Sequence, residues 1–189
     1  MKRYGREEST GRLFMRCVSV LAVFVFGGII VSLRIPIDDI ADGAELMSAI
    51  TFEKSEFSDC FTRAVCYDLF FCITAFLLGG AFPVSYLTGG YIILKGFFTG
   101  TVLGLAARCL SFGKAAGVIF ALFISNVLVM PLYILLFLVS VRFSMRACGL
   151  TPGEKTAKLA LFGIRVFIFF ALMCLAEFLQ TGAGLLVLK

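Results

Sequence analysis

The chain has 189 residues, enough for one domain by length. Hydrophobic residues make up 60% and charged residues 15%, against roughly 45–50% and about 25% in soluble domains, so an ordinary soluble domain is excluded. The formal charge of +5 comes from Lys and Arg at helix ends and in loops rather than from one patch with interleaved aromatics, which argues against a nucleic-acid partner.

Apolar runs of about 20 residues, the length that crosses a bilayer, recur along the whole chain, and the mean hydropathy is +1.03. The composition therefore predicts an all-α, polytopic membrane bundle of about five transmembrane helices, forming a single integral-membrane domain over residues 1–189. The N-terminus is basic and then apolar. Its apolar run, to Leu33, is long for a signal segment and no A-x-A site closes it, so we expect a retained first span over about 13–33. Arg16 snorkels at its start.

Residues 34–64 differ. They carry Asp38, Asp39, Asp42, Glu45, Glu53, Glu56 and Asp59 against Arg34, Lys54 and Arg63. Ile37, Ile40, Ala44, Met47 and Ile50 recur at helical spacing, as do Phe57, Cys60, Phe61, Ala64 and Val65. This pattern predicts two short amphipathic helices lying at the membrane interface between spans one and two.

Span two is expected over about 65–82, ended by Gly79, Gly80 and Pro83. Asp68 then falls at its outer end, in water. A very short turn leads to span three, about 85–107, so the two read as a tight hairpin. Span four, about 115–141, contains Pro131, which removes a backbone hydrogen bond and predicts a kink. Thr151-Pro152-Gly153-Glu154 reads as a helix start, with Thr at the N-cap, Pro at N1 and Glu at N3. That helix runs into span five, about 159–188.

Placing the N-terminus inside puts nine Lys and Arg on the cytoplasmic side, Arg142, Arg146, Lys155 and Lys158 among them, against six outside. No internal repeat is visible, which argues against an inverted-repeat transporter. The seven cysteines form no CxxC pair and histidine is absent. Free thiols are expected, and no metal or other cofactor. No GxSxG or Walker loop is present, so the chain does not read as an enzyme.

Two features of span three point to function. Gly96, Gly100 and Gly104 are four residues apart and line one helix face. Small residues let helix backbones approach in lipid, so this is a helix-packing face, expected to meet another helix of the same chain, with a homodimer seam as the alternative. Lys95 lies near the midplane, where a charge costs about 2.5–3.5 kcal/mol even on the lenient insertion scale. Depth arithmetic along span four puts Asn126 at the same level, next to the Val127 carbonyl that Pro131 frees. We therefore expect an intramembrane polar cluster of Lys95, Ser125, Asn126 and Pro131, with Glu177 of span five in reach if that span shifts outward.

From Tyr91 to Ser144 the chain resembles the core of the stage II sporulation protein M family. The likeness extends from about Phe57 and rests on Leu94-Lys95-Gly96, the spaced Gly100 and Gly104, and an Asn followed five residues later by a Pro, here Asn126 and Pro131. Where the family usually reads Pro-Gln-Asn, this chain has Ile124-Ser125-Asn126. The resemblance implies a multi-pass protein of the bacterial cell membrane. It implies a scaffold that supports engulfment of the forespore together with peptidoglycan-degrading partners, the stage II sporulation proteins D and P. The alternative from the residues themselves is a permease-like subunit in which Lys95, Asn126 and Glu177 bind or pass a solute.

Overall fold

Apolar runs that cannot leave backbone groups unpaired in lipid must become helices, and in the computed structural model they do. The structure describes residues 10–36, 57–79, 84–109, 112–147 and 149–188. Among these residues five α-helices follow in order: α1 Thr10–Arg34, α2 Phe57–Gly79, α3 Leu87–Cys109, α4 Phe112–Ala147 and α5 Pro152–Leu188. A 3₁₀ turn, Val84–Tyr86, precedes α3. Each of the five is long and apolar enough to cross a membrane.

Contacts at matching depths fix the directions. Gly96, Gly100 and Gly104 of α3 meet Leu21, Val25 and Ser32 of α1 in the same order, so these two helices run parallel. Tyr133 meets Asp68 and Ser140 meets the Ala75 carbonyl, so α2 and α4 also run parallel. The order reverses between α2 and α5, where Phe76 stacks on Phe162 and Phe61 meets Phe178 edge to face. The result is an up-and-down bundle.

α4 is the central helix. Half of its span is buried, against 6% for α1. It separates two close pairs, α1 with α3 and α2 with α5, and touches all four partners. Its Val129, Met130, Tyr133, Ile134 and Leu136 form the middle of the core with Phe71 and Ala75 of α2 and Phe162 and Met173 of α5. The outer faces carry large exposed apolar side chains, among them Phe26, Phe70, Phe98 and Phe167, as a lipid-facing surface requires.

Several expectations change. The stretch from Phe57 to Ala64, expected as a separate interfacial helix, is continuous with span two: its apolar positions extend the same helical face, and α2 begins at Phe57. The first of the two expected interfacial helices falls on residues 37–56, outside the described residues. Spans two and three do not make a tight hairpin. α3 packs chiefly on α1, and α2 chiefly on α5, because the glycine face of α3 admits α1 more closely than the Phe-rich α2. Pro131 lies inside the one continuous helix α4, in keeping with a single span four. The start of α5 follows the expected cap. The Glu154 carboxylate accepts from the Thr151 N–H at 3.2 Å and from its hydroxyl at 2.9 Å.

Candidate functional site

The helix boundaries decide where charges lie. Because α2 starts at Phe57 and ends at Gly79, Asp68 is eleven residues from either end, in the middle of the helix. It is fully buried, which corrects the expectation of a solvated group at the outer end of the span. Lys95 of α3 and Tyr133 of α4 meet at the level of Asp68, and Glu177 of α5 falls between Met173, which meets Cys72, and Phe178, which meets Phe61.

Tyr133 is the hub. The Lys95 Nζ donates to its hydroxyl at 3.1 Å and sits 4.2 Å from its ring centroid, in cation–π range. The Tyr133 hydroxyl in turn donates to Asp68 Oδ1. One phenol thus links an ammonium on α3 to a carboxylate on α2 through the central helix. Phe71 and Tyr91 wall the hub, with ring centroids 4.4 and 5.9 Å from that of Tyr133. Glu177, 4% exposed, interacts electrostatically with both Lys95 and Asp68.

Glu177 therefore joins the level of Lys95. The side chains of Ser125 and Asn126 lie outside the described residues. The described hydrogen bond of Lys95 goes to Tyr133, seven residues beyond Asn126 on α4. Seven residues are two helical turns, so Tyr133 presents on the same face about 10 Å further along. Pro131 is part of that stretch of α4 and half-buried.

Two carboxylates face one ammonium here. Within low-dielectric surroundings that leaves one negative charge uncompensated unless a proton or a cation joins the cluster. Asp68 Oδ2 has no hydrogen-bond partner among the described residues. The cluster can do two things chemically: tie helices by charge and hydrogen bonds, or accept a cation. Among the described residues no group of His, Cys, Asp and Glu is arranged to hold a metal ion. The described cysteines Cys17, Cys66, Cys72 and Cys174 are free.

The glycine face is filled by α1 of the same chain. A Cβ on Gly100 would overlap the Val25 carbonyl, one on Gly104 would overlap the Ser32 hydroxyl, and one on Gly96 would meet the Leu21 side chain. The contact is reciprocal at Gly28 of α1, where a Cβ would strike the Phe97 carbonyl and lie 2.7 Å from the Thr101 nitrogen. Arg108, at the end of α3, locks the seam: its guanidinium donates to the carbonyls of Ser32 and Ile35, at 3.0 Å for the latter. These carbonyls lie at the C-terminus of α1, where a cation complements the helix dipole; that of Ser32 also accepts the Ile35 N–H at 3.4 Å.

Sequence reasoning missed Tyr133, Asp68, Gly28 and Arg108. Signals existed for two of them. Tyr133 shares a helical face with Asn126, and starting the helix at Phe57 would have placed Asp68 at mid-depth. No family model, curated protein or solved structure matches the chain.

Proposed function

We propose that the chain is a membrane scaffold of the stage II sporulation protein M type, a multi-pass protein of a bacterial cell membrane. In this reading it supports forespore engulfment by localising peptidoglycan-degrading partners such as the stage II sporulation proteins D and P. What supports the reading is that the residues carrying the resemblance act on helix packing. Lys95 ties α3 to α4 through Tyr133, and Gly96, Gly100 and Gly104 seat α3 on α1. A chain that spends its intramembrane charge and its glycines on internal contacts is suited to presenting a fixed surface. The test is capture from membranes of a sporulating host: the tagged chain is expected to retain a peptidoglycan hydrolase through washing. Recovery of the intact, abundant chain with no hydrolase contradicts the proposal.

One observation favours a second reading, a permease-like subunit of a transporter. The surplus carboxylate and the unpartnered Asp68 Oδ2 leave room in charge terms for a proton or a cation. Lys95→Met separates the two. Loss of a transport activity at normal membrane abundance supports the permease; loss of abundance makes the charge a structural one.

A further inference from the structure

α5 is 37 residues long, about 55 Å at 1.5 Å per residue, whereas a hydrocarbon core of about 30 Å needs only about 20 residues. Its basic residues, Lys155, Lys158 and Arg165, all precede Val166. From Val166 to Leu188 the only charged residue is Glu177. Arg165 therefore marks where α5 enters the hydrocarbon. α4 leaves it at the same end, with Arg142 and Arg146 in its last turns.

Between these two helix ends lies a cleft of about 360 Å³. Arg142, Arg146, Lys158 and Arg165 line it. Glu154, in α5's first turn, bonds Thr151 at the cap and interacts with Lys158 one turn on. Phe143 and Phe162 stack face to face in the cleft, centroids 4.4 Å apart and planes 2° from parallel. The cleft thus joins a cluster of four cations to an apolar wall at the depth where headgroup phosphates meet acyl chains. Basic pockets between transmembrane helices take anionic headgroups for this reason. Arginine also supplies paired donors matched to phosphate oxygens.

We propose that this cleft is a binding site for the phosphate-bearing headgroup of an anionic phospholipid, with the half-buried Phe143 and the exposed Leu161 against its acyl chains. A free phosphate shares the charge but has no use for the apolar lining. The proposal stands whether the chain is a scaffold or a carrier.

The experiment uses the purified full chain in detergent, titrated with short-chain phosphatidylglycerol, phosphatidylcholine of the same chain length, and inorganic phosphate. Phosphatidylglycerol is expected to bind and phosphatidylcholine to bind far more weakly, with inorganic phosphate failing to displace the lipid at equal concentration. Each cation near a membrane surface contributes roughly fivefold in binding, so Arg142→Gln/Lys158→Gln is expected to weaken phosphatidylglycerol about 25-fold. Arg142→Lys/Lys158→Arg should keep it, and Arg12→Gln, outside the cleft, should leave it unchanged. Arg165→Gln alone, roughly fivefold weaker, repeats the test if the double variant does not fold. Equal binding of phosphatidylcholine, displacement by inorganic phosphate, an equal loss in Arg12→Gln, or unchanged binding in a folded cleft variant would each overturn the proposal.

Discussion

Gly27 and Gly28 are adjacent on α1, yet alanine at each should have opposite effects. A Cβ at Gly27 meets nothing within 4 Å. There alanine gains helix propensity, worth up to about 1 kcal/mol over glycine. A Cβ at Gly28 strikes the Phe97 carbonyl and comes within 2.7 Å of the Thr101 nitrogen. Both are backbone atoms of a helix, and they cannot rotate aside as a side chain can, so α1 and α3 must separate along the seam. Overpacking of this kind costs about 1–3 kcal/mol. Set against a full propensity gain, Gly28→Ala should lose up to about 2 kcal/mol, and should be less stable than Gly27→Ala by about 1–3 kcal/mol. Gly100→Ala, facing the Val25 backbone, should behave like Gly28→Ala. Gly96→Ala should be milder, because the atom it meets first is the end of the Leu21 side chain. The assay is unfolding of the purified protein in detergent, followed by helicity. A Gly28→Ala protein as stable as Gly27→Ala would refute the close approach of α1 and α3.

Two further outcomes follow from the contacts. Tyr133→Phe keeps the ring but removes the hydroxyl that Lys95 and Asp68 share. Leaving buried partners unsatisfied should cost about 1–3 kcal/mol per group, read in the same unfolding assay, and wild-type stability would show that the hub carries no load. Arg108→Gln removes charge-assisted bonds to the Ser32 and Ile35 carbonyls. It should fray the C-terminal turn of α1, seen as faster amide hydrogen exchange near residues 32–35 with the α2–α5 contacts unchanged.

The number of spans, the capped start of α5 and the glycine face were readable because each has a local cause: hydropathy over about 20 residues, a Thr-Pro-Gly-Glu run, a spacing of four. What α3 packs against was not, since sequence neighbours are the natural guess and α1 is distant in the chain. Gly28 is visible as a small residue, but nothing local pairs it with Phe97. The polar cluster was half legible. Lys95 and Glu177 stand out as charges in apolar helices. Asp68 was misplaced because the start of α2 carries Asp59 and Arg63 and looked interfacial, which shifted the span and moved the carboxylate outward. Tyr133 reads as one more aromatic until three-dimensional packing sets it between two opposite charges.

The central claim is that Lys95 and Asp68 act as a structural tie through Tyr133. Removing one partner of a buried pair costs about 3–5 kcal/mol, whereas replacing both by uncharged groups is often neutral. The direct measurement is the stability and membrane abundance of Lys95→Met beside Lys95→Met/Asp68→Asn, a pair of changes that leaves the formal charge of the cluster as it was. The single variant is expected to be lost from the membrane and the double variant to return to near wild-type stability. A stable Lys95→Met protein, or a double variant no better than the single, would contradict it.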